Sequence, residues 1–329
     1  MKQVESTRIR RGSLTAFLLT LLIFAIGCAV LTPTQVKEVN KFAIAAKSYG
    51  AFPGTVIQSH ANIRKTQKML EASTFTDGEN ALELIKMSLR VTDEFKKREE
   101  KADRALEILN NYAELLVNLT SDTYTNELQG STENLGKAVD KGISTYNKEN
   151  GTKFNLFGSI TAGIVRGVGG IYIRNKQSRA LKDAVTKADP IVREMIAAVE
   201  NLLVLYLNDE DLKNLNLTME EGRKLLTLNL IRFAGKDLEE IYKNTVKLYG
   251  GKLPFETVSV VAKELEAVED TIQLAKDALK AAKAYREAHA ELAKNVKQKQ
   301  SIKEMIEQIQ VLSEEVKAAQ KIKKKLDLK

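Results

Sequence analysis

Histidine and cysteine are the side chains that most readily carry acid–base, nucleophilic or metal chemistry near neutral pH. This chain has two histidines, His60 and His289, and a single cysteine, Cys28. Neither histidine has a carboxylate or cysteine at the spacing of a helical zinc motif such as His-Glu-x-x-His. His60 falls on the inward side of its helical pattern and His289 on an apolar seam, a position where a polar side chain sets the register of packed helices. Gly167-Val168-Gly169-Gly170 resembles a phosphate-cradling turn, but it lacks the Lys-Ser/Thr of a P-loop and neither follows a strand nor opens a βαβ unit. Gly-x-Ser-x-Gly is absent. These patterns support no enzyme class and call for no cofactor or metal.

Cys28 stands in a different setting. Arg8, Arg10 and Arg11 precede residues 14–31, which carry no charge and are mostly apolar. That is the layout of a secretory signal, a basic region followed by a hydrophobic one. As a helix, residues 14–32 also come close to crossing a hydrocarbon core of roughly 30 Å, so an uncleaved signal-anchor in the inner membrane is the competing reading. Either way the arginines stay on the cytoplasmic side and everything after Pro33 lies beyond it. Ala25-Ile26-Gly27-Cys28 resembles the lipobox of bacterial lipoprotein precursors, in which a small residue precedes the cysteine that is acylated and becomes the new amino terminus. The family usually has Leu three residues before the cysteine, and this chain has Ala25. The resemblance covers residues 1–28. It implies a signal peptide over residues 1–27, lipid attached at Cys28, a short tether over residues 28–33, and residence in a bacterial envelope. Ala29 resembles the outer-membrane sorting default of enteric-type lipoproteins. A solitary cysteine also leaves no disulfide framework within one chain.

Composition describes what the anchor would hold. The full chain has a net charge of +8, and removing residues 1–27 takes four basic and one acidic side chain with it and leaves +5. A balance so mild and so dispersed does not point to nucleic acid. Four prolines, no tryptophan and 29% charged residues, with abundant Ala, Leu, Glu and Lys, predict long helices.

The apolar periodicity places those helices. A short one is expected over residues 34–49, broken by the run from Gly50 to Gly54, and a second from Thr55 to about Ser73. Thr76 or Asp77 then caps a helix in which Leu82, Ile85, Leu89, Phe95, Leu106, Leu109, Leu116 and Leu119 keep helical spacing for about forty residues. A shorter helix follows over residues 131–147. Another is expected from Gln177 to Asn208, with Pro190 either kinking it or opening a fresh helix capped by Asp189. Thr218 opens a capping box, and Gly250-Gly251 ends the helix that follows. From residue 254, Val258, Val261, Leu265, Val268, Ile272, Ala275, Leu279 and Ala282 make a heptad seam. The seam lapses at Arg286, His289 and residues 298–301 and resumes at Ile302, Met305, Ile309, Leu312, Val316 and Ala319, as a phase change or a turn between antiparallel helices would require. The lysine-rich tail from Lys321 is expected to fray.

Residues 154–173 are the second unusual stretch, with Arg166 as their one charge. Ser159, Gly163, Gly167 and Gly170 share a smooth helical face that would admit a close neighbour, either inside the bundle or as a membrane-inserting segment. The expectation is therefore an all-α protein, an elongated bundle of long antiparallel helices with coiled-coil character over residues 34–329. Sub-division is possible near residues 150–176, with a heptad hairpin over 254–329. Its partners would be membrane lipid through acylated Cys28 and an envelope protein or a second copy of itself. The function expected is binding, spacing or scaffolding; the alternative is membrane perturbation by residues 154–173.

Overall fold

The computed structural model describes residues 31–88, 93–121, 126–156, 170–215, 228–298 and 302–328. Arg8, Arg10, Arg11, Cys28, Gly163, Arg166, Gly167 and Thr218 lie outside the described residues, and Gly170 is the first residue of a helix. The protein is all-α, with helices packed against one another and no strand among the described residues.

Thr32 opens helix α1 (Pro33–Tyr49) with a complete capping box: its hydroxyl accepts from Gln35 N, and the Gln35 side chain accepts from Thr32 N at 2.9 Å. Helix α2 (Ala51–Ala72) follows after one residue. The second helix starts four residues before the expected Thr55, because Pro53 sits in the first turn of α2, where its missing N–H costs no intrahelical bond. Asp77 caps α3 (Gly78–Ser88), accepting from Glu79 N at 2.9 Å. Leu82, expected on the buried seam, is exposed. Its helix packs on α2, whereas α4 (Asp93–Leu119) enters the bundle beside α5 (Asn126–Asn150). Helix α5 begins five residues before the expected start at Ser131, so the polar stretch before Ser131 is partly helical.

Helix α6 (Gly170–Leu203) runs on through Pro190 without a new start and closes in a 3-10 turn, Val204–Tyr206. Packing on both sides holds it together, since Ala188, Ile191 and Val192 around the proline are all buried. A short helix α7 (Asp209–Asn214) leads towards α8 (Leu230–Leu248).

The longest helix, α9 (Phe255–Gln298), has 44 residues and spans about 66 Å. It does not break at Arg286 or His289; the chain reverses only after Gln298, into α10 (Ile302–Asp327). The seam residues of α10, Met305, Ile309, Leu312, Val316 and Ala319, are all buried. On α9 burial goes beyond one seam. Leu274, Ala278, Ala281, Ala284, Tyr285, Ala288, Leu292, Ala293 and Val296 are buried together with Ile272, Ala275, Leu279 and Ala282. Alanine on the extra faces lets several neighbours approach, and α9 packs against α1, α2, α6, α8 and α10. It is the central rod of the bundle, and its extra buried faces are present by Leu274, before the heptads lapse. The lysine tail stays helical to Asp327, where Lys325 reaches Asp270 at 2.6 Å and Ile322 and Leu326 rest on the core.

Candidate functional site

The structure keeps the two histidines apart. Ser59, next to His60, meets Thr271 of α9 at 2.5 Å, and His289 lies eighteen residues further along that helix, about 27 Å away. His60 is half-buried, its ring edge-on to Tyr206 with centroids 5.4 Å apart. Burial, then the nearby Arg64 charge, brings its pKa down to about 4.

His289 has no exposed surface and sits in a polar layer at the middle of the bundle. Its Nε2 is 2.9 Å from the Tyr112 hydroxyl on α4, and its Nδ1 is 3.4 Å from Asp189 Oδ1 on α6. Arg193 Nη2 holds the same carboxylate at 3.1 Å. Burial is the main influence on both partners. It lowers the imidazole pKa, while Asp189 remains below the usual carboxylate range because hydrogen bonds and charge from His289 and Arg193 outweigh its desolvation. A neutral ring beside an ionised carboxylate fixes the proton pattern: Nδ1–H donates to Asp189, and Nε2 accepts from the Tyr112 hydroxyl, whose own pKa is raised by burial. Phe42 of α1 closes the layer edge-on at 5.5 Å. The order tyrosine, histidine, aspartate has the connectivity of a nucleophile relay. Tyr112 and His289 have almost no solvent-exposed surface, and the groups join α4, α6 and α9.

A second convergence is organised by Asp211. Its carboxylate accepts from Arg232 at 2.5 Å and Asn208 N at 3.3 Å and pairs with Lys276 at 2.6 Å, tying α7, α8 and α9. These contacts lower the Asp211 pKa in spite of its desolvation. Sequence reasoning singled out His289 and Asp189 separately, the second as a cap, and did not pair them. It missed Tyr112 as a partner, because Tyr112 and His289 lie far apart in the chain, and it missed Asp211 altogether, although Asn208 and Asp211 stand at the spacing of a capping box. Among the described residues, no group of three or more His, Cys, Asp or Glu side chains is placed to hold a metal ion.

What the described surface does offer is a pair of contrasting ends. At one, Leu31 N donates to Ser178 Oγ of α6, and the Gln35 side chain donates to Asn295 Oδ1 near the end of α9 at 2.8 Å. The described chain thus starts beside the C-terminal end of α9, three residues after Cys28. Helices α1 and α2 run antiparallel to α9 from there, with Gln35 at Asn295, Phe42 at Tyr285 and Ser59 at Thr271. At the other end, about 60 Å away, Leu248, Tyr249 and Phe255 are 69%, 51% and 79% exposed around the α8–α9 hairpin. The Tyr249 hydroxyl donates to Ser73 O at 2.7 Å, which brings Phe75, also exposed, to the same end.

Comparison with protein-family models, curated proteins and solved structures finds no match to this chain. The fold defines a class, a helical bundle built around one long central rod. Among the described residues no helix is long and apolar enough to cross a membrane.

Proposed function

We propose that the chain is a bacterial envelope lipoprotein, held by acyl chains on Cys28, whose bundle acts as a spacer or scaffold that presents its far end to a partner. The observation that carries the reading is the placement of the first described residues. Leu31, three residues after Cys28, sits at one end of the central rod, and α9 runs about 60 Å from there to the hairpin at residues 249–254. An anchor at an end, rather than midway along the bundle, turns helix length into reach. Several acyl chains on one residue, each worth about 0.8 kcal/mol per buried methylene, would hold that end far more firmly than a single chain. The polar layer around His289 and the hub at Asp211 contribute the rigidity such a role needs, since each ties three or more elements into one body. Mass spectrometry of the mature amino terminus tests the anchor. Wild type is expected to begin at Cys28 with lipid attached, and Cys28→Ser to lack it. An unmodified wild-type terminus beginning near Met1 would replace this reading with an uncleaved signal-anchor.

A further inference from the structure

Asn150-Gly151 is the only asparagine–glycine pair in the chain. In such a pair the amide side chain is followed by a backbone nitrogen that no Cβ shields, so that nitrogen can reach the asparagine Cγ and close a five-membered ring. The fold leaves the pair open to this reaction. Asn150 is the last residue of α5, and Gly151 is exposed, at φ +66°, with nothing within 4 Å of the place a Cβ would take. Lys148 and Glu149 beside it are exposed as well. The last turn of a helix frays at small cost, and here its opening also breaks the bond from Asn150 Nδ2 to Tyr146 O, 3.0 Å long. Directly after the pair the chain is clamped. Asn147 Oδ1 accepts from the Thr152 hydroxyl at 2.7 Å and from Phe154 N at 3.0 Å, and Asn147 Nδ2 donates to Phe154 O at 2.9 Å. Asn147 thus engages both backbone groups of Phe154, whose ring rests against the core.

We propose that Asn150 is a site of spontaneous deamidation and that the reaction unfastens this clamp. Gly151 N bonds to Asn150 Cγ while the bond from Cγ to Nδ2 breaks, and the Gly151 N–H proton leaves with that nitrogen as ammonia. Water then adds to one of the two carbonyls of the succinimide and opens the ring by breaking its bond to nitrogen. Opening on one side gives aspartate with the original main chain. Opening on the other gives isoaspartate, whose main chain runs through Cβ and Cγ and is one atom longer. Water enters and ammonia leaves, so the reaction needs no other reagent. Either product replaces an amide donor by a carboxylate that faces Tyr146 O at the negative end of α5, with Glu149 adjacent, and the bond that held the last turn does not form again. In isoaspartate the added atom also carries Thr152 and Phe154 out of register with Asn147, and all three of its bonds to them are strained or lost.

The test is to hold the full-length folded protein in mildly alkaline buffer at physiological temperature and withdraw samples over weeks. Each is digested with pepsin in acid, where the reaction stops, and the peptide spanning residues 147–154 is followed by mass spectrometry with fragmentation that separates isoaspartate from aspartate. The proposal expects the mass gain of an amide exchanged for a carboxyl to accumulate at Asn150 at least about tenfold faster than at any other asparagine, with isoaspartate the larger product. Asn150→Gln should abolish it. Asn147→Ala, which removes the clamp and keeps the pair, should speed it several-fold, with unchanged circular dichroism showing the bundle intact. In the aged wild type the Phe154 amide should exchange its hydrogen about tenfold faster than in the fresh protein. An Asn150 that converts in urea but stays intact in the folded chain overturns the site, as does conversion no faster than at other asparagines. Aspartate formed without isoaspartate overturns the ring-closing route, and unchanged exchange at Phe154 after conversion overturns the release of the clamp.

Discussion

His289 makes the fold sensitive to acid through a charge it does not carry. Folding desolvates the ring more than Asp189 compensates, so its pKa is lower in the native state than in the unfolded chain, where a histidine titrates near 6.5. His60, lowered to about 4, behaves alike. For both, the unfolded state binds the proton first as pH falls. Their stabilising contribution is therefore complete above about pH 6.5 and is lost on acidification towards the folded-state values. Asp189 and Asp211 act in a lower window, because their contribution is present above the ordinary value of 3.8 and is lost only below it. Glu99, Asp103 and Glu264, whose pKa values are raised by burial, work in the opposite direction and offset part of the acid loss. Urea denaturation should give a stability that falls between pH 7.5 and pH 5. His60→Gln should remove on the order of 1–2 kcal/mol of that fall, after allowance for its partial exposure. A pH-independent midpoint across this range would contradict the placement of both rings.

Among the elements, the junction of α1 and α2 shows how a residue read as a helix breaker can serve another purpose. Gly50 has right-handed helical angles, φ −56° and ψ −19°, which any residue adopts. The residue that interrupts the hydrogen-bond ladder is Pro53, which has no N–H to offer the carbonyl of Tyr49 four residues back. Glycine is needed at 50 for space: a Cβ there would stand 2.1 Å from Asn110 Oδ1 on α4, an atom that is buried without a hydrogen-bond partner among the described residues. Gly50→Ala should thus cost on the order of 1–3 kcal/mol, and shortening the opposing side chain in the Gly50→Ala, Asn110→Ala double variant should recover most of it. Full additivity of the two losses in a denaturation cycle would show that they do not meet. A similar argument applies at Gly235, where a Cβ would approach Val268 Cγ2 to 2.9 Å and push α8 off the central rod.

For the whole molecule, the proposed reach depends on α9 remaining one rod. Spin labels at Lys252→Cys and Lys297→Cys, in a Cys28→Ser background, should lie about 65 Å apart by pulsed electron resonance. A separation under about 45 Å would mean that the helix folds back at the heptad lapse, and the opposed ends would vanish with it.

The all-α class and the buried faces of most helices were legible in the sequence. Apolar residues at helical spacing have few other ways to leave water, and the seam of α10 was read residue by residue for that reason. The basic cluster, the apolar run and Cys28 are also properties of the sequence alone, because a signal of the kind proposed would be recognised by linear order before the protein folds. What periodicity does not contain is how many neighbours a helix has. One seam on α9 predicted one partner, while its alanines admitted several, and only packing made it the centre. Nor does local spacing reveal that Tyr112, Asp189 and His289 share a layer, or that Leu31 and Phe255 end up at opposite ends. Those relations depend on the paths of separate helices, and tertiary packing alone decides them.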